Sequence, residues 1–339
     1  MSKSRLSAIR FLGTLAVLLL CVAVQAQNKP ADVPSAWRGI LGEYALADDT
    51  ICVLERDGTL YVRVKDGKQS ALRREDDRTF HVVGASSNND AACTFKRDQN
   101  GLASSVIIGI RSYERILYGG ENGGSFRIKP LKAPSLLRQE ALKATPPKES
   151  GSFLESDLVE LTRLDSTIRL DVRYATTNNF MGERFYTQAR AFLQRPAAKA
   201  LIRVQQALRK LGYSLLIHDA YRPWYVTKMF WDATPQALKE FVADPAKGSR
   251  HNRGCAVDLS LFDLKSGKPV EMASGYDEFS HRAYPEYLGG TSLQRWHRSL
   301  LRREMEAEGF RVFESEWWHF DYRDWRNYPI GTATFEELL

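Results

Sequence analysis

Beyond Val24 the chain has no apolar run approaching the roughly 20 residues that a membrane-crossing helix needs, which excludes a membrane bundle. It has no block of Lys and Arg interleaved with aromatics, so nucleic acid is not an expected partner. There is no internal repeat and no low-complexity tract. With 43% hydrophobic and 26% charged residues among 339, the chain is not a disordered one; it has material for one large core or two ordinary ones. Cysteine is scarce too, at four residues.

One apolar stretch does stand out. Phe11 to Val24, preceded by Lys3, Arg5 and Arg10, is too short to span a bilayer comfortably and has the layout of a secretory leader. Val24 and Ala26 offer a small-residue cleavage site, so residues 1–26 are expected to be removed and the mature chain to begin near Gln27, in a secreted or periplasmic protein without a transmembrane segment. Leu18-Leu19-Leu20 ahead of Cys21 lacks the small residue that lipoprotein processing wants, which speaks against a lipid anchor. Losing Lys3, Arg5 and Arg10 and no acid lowers the formal charge from +7 to +4, a mild balance that suits an anionic cell envelope better than DNA. Three cysteines remain. In an oxidising compartment Cys52 and Cys93 are expected to form a disulfide, leaving Cys255 as a buried thiol.

Residues 27–130 read as short β-rich runs between turn signals. Gly42-Glu43-Tyr44, Leu60–Val64, Phe80–Val83 and Ser105–Ile110 have strand composition, and Asp57-Gly58, Asp66-Gly67 and Asn100-Gly101 sit where hairpin turns belong. A small antiparallel sheet or barrel is expected, with no catalytic pair in it. Its turns resemble those of the lipocalin-like barrels appended to exported hydrolases. Residues 131–152, rich in Pro, Lys and Ser, have the composition of an exposed connector, with a short helix around Leu137–Ala144.

Residues 153–339 mix element types. Leu201, Val204, Leu208 and Leu211 follow helical spacing up to Gly212, and Tyr213–His218 then reads as a buried strand. Thr234-Pro235 has the form of an N-cap opening a helix through Val242; a longer helix fits Leu293–Glu308, followed by strands at Phe310–Phe313 and about Trp317–Tyr322. The expected fold is therefore an α+β catalytic domain, with an antiparallel sheet and flanking helices, preceded by a small all-β barrel-like domain.

Two of the six histidines keep unusual company. His251 precedes Asp258 by seven residues, with Gly254 allowing a tight turn and Ala256-Val257-Asp258-Leu259 reading as a strand. The second cluster is Glu316-Trp317-Trp318-His319. His251, Asp258 and His319 are nitrogen and oxygen ligands of the kind a catalytic zinc takes, leaving Glu316 as general base for the metal's water. From spacing alone a second reading stands, with His251 in a surface loop, Asp258 as a cap and His319 packed in the core beside Trp318. Both clusters within one domain favour the metal.

These residues carry a resemblance. Ser249-x-His251-x-x-Gly254-x-Ala256-x-Asp258 followed by Glu316-Trp317-Trp318-His319 resembles the zinc D-alanyl-D-alanine dipeptidases of the vancomycin-resistance type. Arg173–Phe180, Asp219-Ala220-Tyr221-Arg222-Pro223 and Asp263–Met272 match further segments in order, over roughly residues 155–328. The resemblance implies one Zn2+ per chain on His251, Asp258 and His319, with Glu316 as catalytic base and Arg222 facing the developing oxyanion. It further implies that Asp277 binds the substrate's free amino group and that Ser249 lies near the dipeptide's carboxylate. Glu278–His281 is a few residues shorter than the family pattern, so the pocket wall is expected to differ there.

The implied activity is hydrolysis of D-Ala-D-Ala or a similar small D,D-dipeptide. Alternatives are a murein D,D-carboxypeptidase, an L-Ala-D-Glu endopeptidase or a non-catalytic envelope-binding protein. No feature of the sequence fixes an oligomeric state. Trp317 and Trp318 are expected to wall the metal site, Cys255 to lie in the core, His297 to be solvated or capping, and His218 to end a buried strand within reach of the site's surroundings.

Overall fold

The computed structural model describes residues 29–76, 78–84, 90–120 and 124–338, so the expected leader and Cys21 lie outside the described residues. A one-turn helix α1 (Ser35–Arg38) leads into eight strands: β1 (Gly42–Leu46), β2 (Asp49–Arg56), β3 (Thr59–Val64), β4 (Gln69–Arg74), β5 (Thr79–Val82), β6 (Ala91–Arg97), β7 (Ala103–Ile108) and β8 (Arg111–Arg115). Each pairs antiparallel with the next, and β8 returns to β1 to close a barrel. Asp57 and Gly58 both adopt positive φ (49° and 78°), as the two-residue turn from β2 to β3 requires. Alternate residues point inward, so Tyr44, Ile51, Val53, Phe80, Phe95 and Val106 fill the interior. The turn signals thus marked half of the strands; β4, β6 and β8 carry too many outward polar side chains to stand out as apolar runs, whereas β2, with the apolar run Ile51-Cys52-Val53-Leu54, was not among the expected strands.

The expected disulfide does not form. Cys52 and Cys93 are both free thiols. Cys93 points into the barrel core, whereas Cys52 lies on the outer face of β2, 3.7 Å from the Tyr287 hydroxyl of the second domain. Strands β2 and β6 are not neighbours in the barrel, and the two-residue strand period sends these side chains to opposite faces.

The rest of the chain forms α2 (Pro134–Lys143), β9 (Leu158–Glu160), α3 (Leu161–Leu164), β10 (Arg169–Leu170), β11 (Phe192–Gln194), α4 (Arg195–Lys210), β12 (Tyr213–Asp219), α5 (Trp224–Ala233), β13 (Ala256–Asp263), β14 (Lys268–Pro269), α6 (Ser292–Ala307), β15 (Phe310–Phe313) and β16 (Glu316–Tyr322). The main sheet runs β10-β12-β13-β16-β15, with β14 beside β13. It is mixed rather than wholly antiparallel, because β10 pairs parallel with β12. A two-stranded sheet joins β9 and β11.

Helix α4 follows the expected periodicity, burying Leu201, Val204 and Leu208. Gly212, at φ 86°, turns the chain into β12, which is buried along its whole length. Helix α6 begins with a capping box between Thr291 and Gln294. Two expectations are corrected. Thr234 does not open a helix: its hydroxyl donates to the Phe230 carbonyl and closes α5, and only a 3-10 turn, Gln236–Phe241, follows. Residues 131–152 are not simply an exposed connector, since Leu137 and Ala141 of α2 are buried in the second domain's core with α2 packed on α5.

Candidate metal centre and active site

The sheet's hydrogen-bond register assembles the site. On the central strand β13, Asp258 lies opposite Asp219 of β12 on one side and His319 of β16 on the other. His251 sits in the turn before β13, where Gly254 at φ 66° folds the chain back tightly. Glu316 and His319 are three residues apart, an odd spacing that would put them on opposite faces of a regular strand. The pairing of β15 with β16 slips between Val312 and Phe313, and this irregularity brings both side chains to one side, with Glu316 Oε2 3.6 Å from His319 Nδ1.

Three ligand atoms converge. Asp258 Oδ1 is 3.3 Å from His251 Nε2 and 3.1 Å from His319 Nδ1, and the two nitrogens are 3.1 Å apart. All three residues are buried. His251 Nδ1 lies 2.6 Å from the Ala220 carbonyl oxygen and must donate its proton there, leaving Nε2 with a lone pair. His319 Nε2 lies 3.0 Å from Asp321 Oδ1, so by the same reasoning Nδ1 faces the centre unprotonated. Asp258 Oδ1 is buried without any hydrogen-bond partner. Two lone pairs and an orphaned carboxylate oxygen this close repel unless a cation lies among them. Ligands held about 2.0 Å from a tetrahedral metal are about 3.3 Å from one another, so the set fits a metal ion.

Were no cation present, a proton would take its place on the imidazoles, and the electrostatics register that demand. Burial works against charge on His319, yet Asp321 and Asp258 outweigh it and raise the imidazole to about 10. Burial also opposes ionisation of Asp258, but His251 and His319 hold its carboxyl well below the usual range. The centre is one that calls for positive charge.

A cavity of about 440 Å³ opens onto these atoms, lined by Ser249, His251, Asp258, His319, Glu316, Arg222 and Asp277 among others. Every sequence-selected site residue is therefore brought together. Burial raises Glu316 to about 7, with Asp258 adding to the shift and His319 and Arg222 opposing it. Arg222 is gripped by Asp219, whose Oδ2 accepts from Nε at 2.9 Å and lies 2.8 Å from Nη2. Its guanidinium stacks over Phe230 and Tyr174, 4.9 and 5.2 Å from their ring centres. Ser249 Oγ accepts the His251 backbone N–H at 3.2 Å. Asp277 Oδ2 accepts from the Tyr174 hydroxyl at 2.8 Å, and burial pushes this carboxyl well above its ordinary value.

Residues 154–335 match the family model described as Peptidase_M15, D-Ala-D-Ala dipeptidase. The chain belongs to the M15 D-Ala-D-Ala dipeptidase family. It is a metallo-hydrolase of that family, and every residue of the centre falls within the matched span. Similar proteins include the D-alanyl-D-alanine dipeptidases of Escherichia coli K12 (34% identical over 53% of this chain and 92% of that protein) and of Enterococcus faecalis V583 (31%, over 50% and 94%). Another, from Enterococcus faecium, is 32% identical over 50% of this chain and 92% of its own length.

Within this dipeptidase domain several supporting residues went unassigned in the sequence. Asp219 holds Arg222 and accepts from the Tyr186 hydroxyl at 2.9 Å; Asp321 orients His319; Tyr276 donates to Asp258 Oδ2 at 3.0 Å. All lie inside or beside the recognised motifs, and the two-residue spacing from His319 to Asp321 on one strand was a usable signal. Trp317 and Trp318 do not wall the dipeptidase cavity. Trp317 donates to Ser274 Oγ and Trp318 packs edge-on against Tyr276, while Phe230, Phe241, Phe279, Phe313 and Trp325 line the cavity instead. His297 is not solvated but buried, 3.0 Å from the Tyr213 hydroxyl, and burial lowers it to about 4. Cys255 lies in the core as expected, and His218 stacks on Tyr276.

Proposed function

We propose that the chain is a zinc-dependent dipeptidase that hydrolyses free D-Ala-D-Ala or a similarly small D,D-dipeptide, with one zinc per chain. The observation that carries this reading is the buried, partnerless Asp258 Oδ1 facing two imidazole lone pairs. Two histidines and one aspartate are the donor set of a catalytic zinc that keeps a fourth position open. Relatives matched over nearly their whole length carry the dipeptidase name, which supports the substrate class.

His251, Asp258 and His319 would hold the ion, which when bound supplies Lewis-acid polarisation of the scissile carbonyl and of water. The chain's own groups do the rest. Glu316, raised to about 7, takes a proton from the attacking water and returns it to the leaving amine nitrogen; a base is most useful with its pKa near the working pH. Arg222 is fixed by Asp219 through Nε and Nη2, and Nη1 has no partner among the described residues. A guanidinium so fixed stabilises negative charge developing on the carbonyl oxygen without having to reorganise. Asp277, uncomfortable as a buried carboxylate, gains a cation when the substrate's ammonium arrives. A substrate whose amine is blocked leaves that acid unpaired, which favours free dipeptides over longer wall peptides. Ser249 lies on the same cavity wall, which supports reading it as a neighbour of the dipeptide's carboxylate.

Elemental analysis of protein purified without added metal is the direct test. About one zinc per chain is expected; a chain without transition metal that gains no activity with added zinc overturns the reading. We further propose that the leader carries the enzyme out of the cytoplasm, in which case the N-terminal sequence of the exported protein begins at or near Gln27.

A further inference from the structure

Outward-facing side chains of an antiparallel barrel normally meet water. Glu43, on the outer face of β1, does not: it is 3% exposed because residues 273–291 of the second domain cover it. A carboxylate so placed needs donors, and it has three. Oε1 is 2.8 Å from His281 Nε2 and accepts from the Tyr287 hydroxyl at 3.0 Å, and Oε2 accepts from the Tyr118 hydroxyl at 2.5 Å.

Glu55, the barrel's other buried carboxylate among the described residues, grips the end of the same segment. Its Oε2 accepts the Ser292 N–H at 2.6 Å, and its own N–H donates to the Gly290 carbonyl at 3.0 Å. Segment 273–291 also carries Asp277, which holds a left-handed φ of 57° that a non-glycine residue keeps only when its surroundings impose it. Contacts run from the barrel towards that residue. Arg282 stacks 4.6 Å over the Tyr118 ring and lies 3.2 Å from Glu278 Oε1, and Glu278 also accepts from the Gly275 N–H and the Ser280 hydroxyl. The relatives named above are matched over 92–94% of their own length by about half of this chain, which leaves them no room for a further domain the size of the barrel.

We propose that the barrel is a positioning element for the amine-binding side of the active site: Glu43, with Tyr118 and Glu55, fixes segment 273–291 and thereby holds Asp277 against the substrate's ammonium. The proposal rests on the reading of Asp277 as the ammonium's partner. Glu43 is a positioning residue and touches no substrate.

The test uses the full chain loaded with zinc and two probes, free D-Ala-D-Ala and its N-acetylated form. Glu43→Ala is expected to raise KM for the free dipeptide about fivefold to tenfold while kcat and metal content stay within about twofold, because misplacement of a binding group weakens binding without touching the base. KM for the acetylated probe should not move, and Glu43→Gln, which keeps an acceptor oxygen, should recover most of the loss. Unchanged kinetics in Glu43→Ala overturn the proposal, as does an equal loss on both probes or a fall in kcat.

Asp277→Asn separates the two readings. If it leaves the preference for the free amine intact, the amine reading itself is wrong; if it abolishes that preference while Glu43→Ala does not reduce it, the barrel's role is wrong. Should Glu43→Ala fail to fold, Tyr118→Phe removes a single hydroxyl from the carboxylate and carries the same test, with a KM rise of about twofold expected.

Discussion

The two domains bury charge in opposite ways. Among the described residues the barrel core is apolar, and its two buried carboxylates, Glu43 on the outer face of β1 and Glu55 at the end of β2, both bond to the second domain. The second domain buries Asp219, Arg222, His251, Asp258, Asp277 and His319 around one cavity. Desolvating a charge costs several kcal/mol or more unless it is paired. A fold keeps such groups where something is to be bound or activated, so buried charge locates the chemistry in one domain and the docking surface in the other.

The largest break of this contrast comes from the metal centre. His251→Ala or Asp258→Ala should empty the site, and hydrolysis should fall to background; metal retained at full stoichiometry in either variant would remove that residue from the ligand set. Next is Glu316→Ala, expected to keep the metal while lowering kcat by at least about a hundredfold, as loss of a general base does. If metal is lost instead, Glu316 is a ligand. Arg222→Ala should also spare the metal and lower kcat by roughly tenfold to a hundredfold, with KM less affected. An unchanged kcat would reduce Arg222 to a partner of Asp219.

The smallest expected effect sharpens the barrel's side of the comparison. Burial opposes ionisation of Glu43, yet His281 and Tyr118 hold its carboxyl below the usual 4.5, so its contribution is present above that value and is lost as pH falls through the lowered one. His281, half-exposed, is raised above 6.5 by Glu43, with Arg282 opposing and Glu278 assisting; its contribution is complete below 6.5 and is lost as pH rises through the raised value. The Tm difference between the native chain and Glu43→Gln should therefore be greatest between pH 4.5 and 6.5 and shrink on either side. A pH-independent difference would show that the pair is not ionised.

Much of the site was legible in the sequence because its ligands come from short strings: His251 to Asp258 spans one tight turn and one strand, and Glu316 to His319 one strand with an irregularity. Periodicity likewise determined α4, β12 and α6, whose apolar faces repeat along the chain. The tertiary structure alone decided the rest. Which face Cys52 and Cys93 take depends on strand register around the barrel, not on their separation, and α2 becomes core only because α5 lies beside it. Asp219 and Tyr276 acquire roles from neighbours that folding delivers: Asp219 pairs across the sheet with Asp258, and Tyr276 reaches Asp258 from 18 residues away. Glu43 is the extreme case, an ordinary outward glutamate on a strand until a segment more than two hundred residues further along closes over it. Local pattern determines elements and short motifs, whereas the partners that make a buried charge tolerable come from distant parts of the chain and exist only once it has folded.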